Sequence, residues 1–336
     1  MKRTRLFSIL AVAGLLAGTR GAPPPPTHAA SPAYNMIMNW FPEPEEGGFY
    51  NAQRLGFYQK AGINSSISEY SFAINITIPF VAAGKYAFGM ANADEILTFR
   101  ARGAKVVAIL GTYQTNDQCI LWHANDKTIK TLADLSNHNL YYTFGAGYEA
   151  YLVLKYHYRN FKTFSYDFTP RKFSQDPKGT NQCFITSEPY QWGEQGVKTK
   201  AALIASTGYN PYGDLIFTTE DMIAKHPDIV RAYVKASIAG WNGYLNDASQ
   251  ATATNAYLET APGAKNYKLN PGELKYSYTE LKQLKLVNGG DAAKHGIGIF
   301  TLARWKTLQH QMVSIGQKVG GVDVTKAFTN QFLPKM

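Results

Sequence analysis

Along the chain, short apolar runs alternate with longer amphipathic segments. The apolar runs are rich in β-branched and aromatic residues and predict strands at residues 35–40, 66–70, 85–91, 106–110, 119–122, 140–144 and 182–186. The amphipathic segments between them predict helices at residues 48–60, 93–102 and 148–159. Strands that alternate with helices in this way indicate an α/β fold with mainly parallel sheets.

The pattern changes after residue 218, where nearly all of the chain is predicted to be helical. Thr219 followed by Glu220 and Asp221 is typical of a helix start. After Pro227, apolar residues recur at a helical period as far as residue 245 and form a broad stripe. We therefore expect a long helix that packs on a core.

This order of elements predicts two lobes, each a mainly parallel sheet flanked by helices, although the sequence shows no internal repeat. The chain is expected to cross between the lobes near residues 111–114 and 207–211. Lobe 1 would then contain residues 31–113 and 207–336, and lobe 2 residues 114–206. A two-lobed protein has a cleft between its lobes, where ligands usually bind.

Residues 1–30 are predicted to be a signal peptide with a proline-rich flank. A positive head at residues 1–5 precedes an apolar run at 6–18, which is shorter than the ~20 residues that span a bilayer. The run ends like a lipoprotein box, but Thr19 stands where the lipid-bearing cysteine would be. We expect an exported protein, periplasmic or secreted, without a lipid anchor.

Export changes the meaning of the positive charge. The 336-residue chain has 34 basic and 24 acidic residues, a net charge of +10. Removal of residues 1–30 takes away four basic residues and no acid, which leaves 30 against 24, or +6. The remaining basic residues are scattered, whereas a nucleic-acid-binding face clusters them. We expect a monomer that binds no nucleic acid.

Signatures of catalysis are few. The sequence contains no G-x-S-x-G, H-E-x-x-H or P-loop motif. None of its seven histidines has the spacing of a metal-ligand pair. We therefore expect no enzyme activity, no cofactor and no metal site.

One glycine-rich turn leaves an alternative open. Residues 145–150 read G-x-G-x-x-A between a predicted strand and a predicted helix, and Asp167 follows ~20 residues later, as in dinucleotide-binding units. The protein could on this basis be an exported dinucleotide-dependent oxidoreductase. A helix N-terminus that offers its backbone N–H groups to a ligand is the simpler interpretation.

Polar and aromatic side chains follow several predicted strands, at the sheet edge that borders the ligand crevice in parallel α/β folds. Aromatic faces supply flat apolar walls, and carboxylates and amides orient a polar heterocycle. The candidate ligand-binding residues are Asn39, Trp40, Phe49, Asn92, Asp94, Tyr113, Gly145, Ala146, Gly147, Glu188 and Tyr190.

Several short motifs resemble the solute-binding proteins of ABC importers, in the branch that binds thiamine-pyrimidine precursors and alkanesulfonates. The similarity runs from about residue 35 to residue 333, and its motifs are Asn39-Trp40-Phe41-Pro42, Gly47-Gly48-Phe49-Tyr50, Ala91-Asn92-Ala93-Asp94-Glu95, Ser187-Glu188-Pro189-Tyr190, Gly193-Glu194-Gln195-Gly196, Ile229-Val230-Arg231-Ala232-Tyr233 and Gly240-Trp241.

The resemblance implies the type II periplasmic binding fold, with two hinge strands and a cleft that closes on a small molecule. It implies that Trp40 and Tyr190 are cleft aromatics, that Glu188 is a polar clamp, and that residues 145–147 form a helix N-terminus facing the ligand. The chain lacks the cysteine-rich motif and active-site histidine of the thiamine-precursor synthases in the same superfamily, which argues against catalysis.

The two cysteines, Cys119 and Cys183, both fall on predicted strands of lobe 2. An oxidising compartment permits a disulfide between them. Two buried free thiols are equally compatible with the sequence.

We expect a non-catalytic solute-binding protein that delivers a small polar molecule to an ABC permease in the cytoplasmic membrane. Aromatic walls with Glu188 and Asp94 favour a pyrimidine-like thiamine precursor. The alternatives are a sulfonate held by the helix N-terminus at residues 145–147, the exported oxidoreductase, and a cell-surface adhesin.

Overall fold

The computed structural model describes residues 33–68, 76–261, 263–264 and 269–335. The predicted signal peptide at residues 1–30 lies outside the described residues. The strands are β1 (Met36–Ile37), β2 (Ile67–Ser68), β3 (Phe88–Ala91), β4 (Val106–Leu110), β5 (Gln118–His123), β6 (Asn139–Tyr142), β7 (Lys162–Ser165), β8 (Gly179–Phe184), β9 (Thr199–Leu203) and β10 (Leu215–Thr219).

The helices follow the strands and then dominate the last third of the chain. They are α1 (Gly47–Arg54), α2 (Phe57–Lys60), α3 (Thr77–Ala82), α4 (Ala93–Ala101), α5 (Gly147–Tyr156), α6 (Arg171–Gln175), α7 (Glu188–Glu194), α8 (Glu220–Lys225), α9 (Pro227–Asn246), α10 (Ala248–Leu258), α11 (Pro271–Gln283), α12 (Ala292–His295) and α13 (Leu302–Ser314). Short 3₁₀-helices lie at Pro44–Glu46, Leu132–Asp134, Ile204–Thr207 and Val324–Lys326.

Two five-stranded sheets form the cores of the two lobes. The sheet of lobe 1 has the order β2-β1-β3-β10-β4, and that of lobe 2 the order β7-β6-β8-β5-β9. In each sheet four strands run parallel to one another, and the fourth in the order, β10 or β5, runs against them. The expectation of an α/β fold with mainly parallel sheets is therefore confirmed.

The reversed strands are those that follow the two crossings between the lobes. The chain leaves β4, crosses and enters β5, and it leaves β9, crosses back and enters β10. The two crossing segments lie side by side and are joined by a hydrogen bond, in which the Tyr113 backbone N–H donates to the Gly213 carbonyl at 3.1 Å. The expected lobe boundaries at 113/114 and 206/207 stay predictions.

Most predicted elements are found close to their expected positions, and strand β4 coincides with the predicted 106–110. The predicted helix at 48–60 is two helices, α1 and α2, because Gly56 adopts a left-handed backbone with φ of 67°. The predicted long helix after Pro227 is α9, which packs against α1. No helix within the described ranges combines the length and apolar character that a membrane span needs.

Cys119 and Cys183 are joined by a disulfide. They are directly paired residues on the antiparallel strands β5 and β8, with Cα atoms 4.8 Å apart. Both side chains are buried, together with Trp192, in a small core cluster. Of the two alternatives left open by the sequence, the structure shows the bridged one.

Candidate functional site

The carboxyl ends of the parallel strands in both sheets meet at the crossings. In lobe 2, β5 starts immediately after a crossing, and its first residue, Gln118, pairs with Phe184 at the end of β8. In lobe 1, β10 starts after the other crossing, and Leu215 pairs with Ala91 at the end of β3. Side chains that follow strands in either lobe therefore border one cleft, as the crevice rule for α/β sheets predicts.

Trp40 of lobe 1 contacts lobe 2 across this cleft. Its indole stacks on Phe168, with ring centroids 6.2 Å apart and an interplanar angle of 28°. Phe168 follows β7, is 48% exposed and has a left-handed backbone with φ of 57°. A non-glycine residue seldom adopts this conformation, and such residues cluster at functional sites.

The aromatic contact continues to Glu188. The ring of Phe168 lies 4.8 Å from that of Tyr166, and the Tyr166 hydroxyl donates a 3.2 Å hydrogen bond to Oε1 of Glu188. The backbone N–H of Phe184 donates to Oε2 at 2.7 Å. Glu188 is buried at the first turn of α7, and burial raises its pKa to about 7. The Glu188 carboxylate is thus linked to the Trp40–Phe168 pair through the side chain of Tyr166.

Five further carboxylates at the cleft were not among the sequence candidates. Glu43, Glu45 and Glu46 lie just after β1, in and beside the 3₁₀-helix Pro44–Glu46, and all three are buried. Asp117 and Asp214 lie in the two crossing segments and are buried too. We call these five residues the carboxylate cluster.

Burial and mutual repulsion both act on the carboxylate cluster. Desolvation raises the pKa of each member, and the negative charges of neighbouring members raise the pKa of Glu43, Glu45, Glu46 and Asp117 further. None of the ion pairs found in the described residues involves a member of the cluster. The cleft is therefore acidic, with no basic partner paired to these groups in the described chain.

Three hydrogen bonds hold members of the cluster in place. The Thr186 hydroxyl of lobe 2 donates to the carboxylate of Glu45 in lobe 1. The amide of Asn39 donates to Oδ1 of Asp214 at 3.1 Å, and the backbone N–H of Glu43 donates to Oε2 of Glu46 at 3.2 Å. The cluster is thus ordered by donors from both lobes.

Several sequence candidates lie next to the cluster. Asn39 contacts Asp214, and Oδ1 of Asn92 accepts from the backbone N–H of Asp214 at 3.4 Å. Tyr113 is fully buried in the first crossing, and its hydroxyl donates to the Glu45 carbonyl at 3.0 Å. The structure therefore brings Asn39, Asn92 and Tyr113 together.

Asp94 and the glycine-rich turn meet at another point of the cleft. The hydroxyl of Tyr209, in the second crossing, donates to Oδ2 of Asp94 at 3.5 Å. A Cβ on Gly147 would lie 2.7 Å from that same hydroxyl oxygen. Gly145, with φ of 96°, and Ala146 precede the first turn of α5. The helix N-terminus expected at residues 145–147 is present and lies beside lobe 1.

Two candidates lie apart from this group. Phe49 is fully buried in the core of lobe 1, with its ring edge-on to Trp241 at 5.5 Å, so its position differs from the expected place at the ligand. Tyr190 lies on α7 against Tyr276, and its hydroxyl donates to Asn270 at 3.1 Å. Asp167, the residue that suggested a ribose contact, bonds to Thr169 within its own loop.

The carboxylate cluster was missed because its members look like surface residues in the sequence. Three glutamates within four residues around Pro44 resemble a solvated loop, and Asp117 and Asp214 stand alone, far apart in the chain. One feature of the sequence could have indicated part of the cluster. The acidic residues at 43–46 closely follow the predicted strand at 35–40, which ends in the site candidates Asn39 and Trp40.

Comparison with known proteins identifies the group to which this arrangement belongs. A family model described as NMT1/THI5 like matches residues 43–251, more than half of the chain. Among curated proteins, the riboflavin-binding protein RibY of Chloroflexus aurantiacus is 24% identical over 359 aligned residues and covers 99% of both chains.

Solved structures of low sequence identity share the fold. A Candida albicans protein described as having the generic periplasmic binding protein fold superposes with a TM-score of 0.60 at 13% identity, over 89% of this chain and 96% of its own. The alkanesulfonate-binding protein SsuA of Xanthomonas axonopodis pv. citri, bound to MOPS, gives 0.62 at 12%, over 90% and 100%. The two-lobed periplasmic binding protein fold is therefore confirmed, and RibY and SsuA are both described as binding proteins.

Proposed function

Because the chain belongs to the NMT1/THI5-like family and has the periplasmic binding protein fold, we propose that it is the extracytoplasmic solute-binding component of an ABC importer. Its partner would be a permease in the cytoplasmic membrane, and its place the periplasm or the cell exterior. Relatives described as binding proteins support a role in ligand capture without catalysis.

The mechanism would be hinge closure. Contacts such as Trp40 with Phe168 and Glu45 with Thr186 join the two lobes, and a ligand that binds groups of both lobes favours the closed form. The two side-by-side crossing segments, joined between Tyr113 and Gly213, would act as the hinge.

The ligand we propose is a flat heteroaromatic molecule that donates hydrogen bonds, with a pyrimidine-like thiamine precursor as the first choice. The observation that carries this choice is the contact series from Trp40 through Phe168 and Tyr166 to Glu188, which places a carboxylate beside an aromatic face. An amino group on a ring satisfies both features, because the ring stacks while the amine donates to the carboxylate.

The acidic cleft argues against an anionic sulfonate as the ligand. A sulfonate at the N-terminus of α5 would gain from the helix dipole but would lie in a cleft that contains Asp94, Glu188 and the carboxylate cluster. The description of RibY as a riboflavin-binding protein also favours a flat ring system. Flavins are therefore the second ligand class to test.

The test is a set of isothermal titrations in buffer containing EDTA. The ligands are an aminopyrimidine thiamine precursor, riboflavin, and an alkanesulfonate without an aryl group. We expect the aminopyrimidine to bind, and Glu188→Ala to weaken its binding at least tenfold, whereas Glu149→Ala on α5 leaves it unchanged.

The same titrations can contradict the proposal. Binding of the sulfonate alone would reverse the ranking of ligands. If none of the three binds and native mass spectrometry of the purified protein finds no co-purified small molecule, a solute-binding role is excluded for these classes.

A further inference from the structure

We propose that Glu45, Glu46 and Asp214 bind a hard divalent cation of the size of Ca²⁺. One carboxylate oxygen from each residue lies within 4.8 Å of those of the other two. Ca²⁺ binds oxygen ligands at about 2.3–2.6 Å, so ligands on opposite sides of the ion are separated by about twice that distance. The three oxygens could therefore contact one ion without large movement of the backbone.

Each of these carboxylates is oriented by a separate donor. Thr186 holds Glu45, the Glu43 backbone N–H holds Glu46, and Asn39 holds Asp214. Outer hydrogen bonds of this kind keep metal ligands in position and raise their affinity. The arrangement is that of a built site, because one oxygen of each carboxylate is anchored while the group keeps capacity for a ligand.

A second observation points to a missing partner at the same place. Asp117 is only 2% exposed, and its Oδ2 has no hydrogen-bond partner among the described residues. Among the charged groups around Asp117, Asp214 raises the pKa of Asp117 most. Asp117 is likewise the charged group that raises the pKa of Glu45 most. The buried Asp117 carboxylate therefore lies beside two of the three proposed ligands, Glu45 and Asp214. Buried charged groups are normally paired or coordinate a metal.

Glu43, another member of the carboxylate cluster, also has an oxygen that is unpaired within the described ranges. It is 1% exposed, and its Oε2 finds no partner in the part of the chain that the structure describes. A divalent ion would offset the repulsion among five buried carboxylates and would favour their deprotonated forms.

The donor set selects the type of ion. All five side chains offer carboxylate oxygens, and neither histidine nor cysteine belongs to the group. Oxygen donors suit Ca²⁺, Mg²⁺ and Mn²⁺, whereas sulfur and imidazole suit zinc and copper. Among the three, Ca²⁺ is the first choice, because it accepts irregular oxygen geometry at about 2.3–2.6 Å, whereas Mg²⁺ demands a near-ideal octahedron at about 2.0–2.1 Å. The spacing of histidine and cysteine, on which the expectation of no metal site rests, carries no information about a site made only of carboxylates.

The experiment uses full-length mature protein dialysed against EDTA and then freed of it. CaCl₂, MgCl₂ and MnCl₂ are titrated separately, and binding is followed by calorimetry and by thermal unfolding. We expect a melting temperature that rises with Ca²⁺ concentration, as it must for a ligand that binds only the folded state.

Two variants locate the site, and one serves as a matched control. Asp214→Asn and Glu46→Gln should each weaken Ca²⁺ binding at least tenfold. Glu149→Gln removes a partly buried carboxylate of α5 outside the cluster and should bind like the wild type. Circular dichroism verifies that each variant is folded. If a variant does not fold, Tb³⁺ luminescence of the wild type, excited through Tyr113 and displaced by Ca²⁺, replaces it.

The outcomes separate this inference from the proposed function. Absence of binding by all three ions, or unchanged binding in both cluster variants, would overturn the cation site. Solute binding in EDTA with no cation binding would remove this inference alone. Cation binding without any solute binding would leave it standing and count against the proposed solute.

Discussion

The indole of Trp40 stacks on Phe168 with 6.2 Å between ring centroids, and this contact joins two lobes that are otherwise built around separate sheets. Trp40 follows β1 of lobe 1, and Phe168 follows β7 of lobe 2. Both rings lie at the carboxyl ends of parallel strands, so the contact marks the mouth of the cleft. A flat ligand between or beside these rings would be held by both lobes.

Removal of either ring should weaken ligand binding. Trp40→Ala and Phe168→Ala each delete one wall of the proposed aromatic site, and loss of a stacking partner costs about 0.5–1.5 kcal/mol, or about twofold to twelvefold in Kd. Titration of the aminopyrimidine by intrinsic fluorescence or calorimetry measures the change. Phe164→Ala, on the outer strand β7, is the control and should bind like the wild type. Equal affinity in all three variants would exclude a role for the pair.

The close approach of α1 to α9 predicts a large effect from a single methyl group. A Cβ on Gly48 would lie 2.0 Å from the Trp241 ring, and one on Gly240 would lie 2.2 Å from the Gly48 carbonyl oxygen. We expect Gly48→Ala to lower the free energy of unfolding by about 3 kcal/mol or more, because the fully buried indole has no room to move.

Gly193→Ala is the control for this substitution. Gly193 lies in α7, and a Cβ there would meet nothing within 4 Å. It should leave the stability unchanged or raise it slightly, since alanine favours helix more than glycine does. Urea unfolding of both variants measures the difference, and similar stabilities for the two would contradict the packing described for α1 and α9.

The disulfide should contribute strongly to the stability of lobe 2. Cys119 and Cys183 are separated by 64 residues in the chain, and closing a loop of that length stabilises the folded state by about 4 kcal/mol in the chain-entropy description. A Cys119→Ser and Cys183→Ser double variant should therefore melt at a lower temperature, and reductant should lower the wild-type value but not that of the variant. Two reactive thiols in unreduced, denatured wild type would contradict the bridge.

Buried carboxyl groups predict that the ligand-free protein loses stability as pH rises. Burial raises the pKa of Glu188 to about 7 and, with a contribution from Asp94, that of Glu95 to about 8, against an ordinary 4.5. Between pH 4.5 and these values the folded protein holds protons that the unfolded chain has released, so the free energy of unfolding falls with rising pH.

The contribution of Glu188 to this pH dependence can be tested by substitution. A fully titrating group changes the free energy of unfolding by at most about 1.4 kcal/mol per pH unit. Glu188→Gln should make the decline between pH 5 and 7 shallower, whereas Asp221→Asn, on the exposed helix α8, should not. Urea titrations at several pH values measure it. A wild type that gains stability over this range would show that the group is ionised in the folded state.

The periodicity of apolar residues was enough to predict the α/β class and most of the strands. These features depend on local patterns: β4 is a continuous buried run, and the apolar stripe of α9 repeats at the helical period. The predicted helix at 48–60 was wrong only in its continuity, since the left-handed conformation of Gly56 interrupts it. Asn39, Asn92 and Glu188 could be chosen because each follows a predicted strand.

The tertiary structure alone decided which charged residues are buried and which meet. Glu45 and Asp214 resemble solvated loop residues in the sequence, and their oxygens come together only because the chain crosses between the lobes twice. The common strand order of the two sheets has no counterpart in a sequence repeat. Phe49, a site candidate by its motif, lies in the core. A local pattern reports which side of an element is apolar, whereas contacts between distant segments depend on how the whole chain packs.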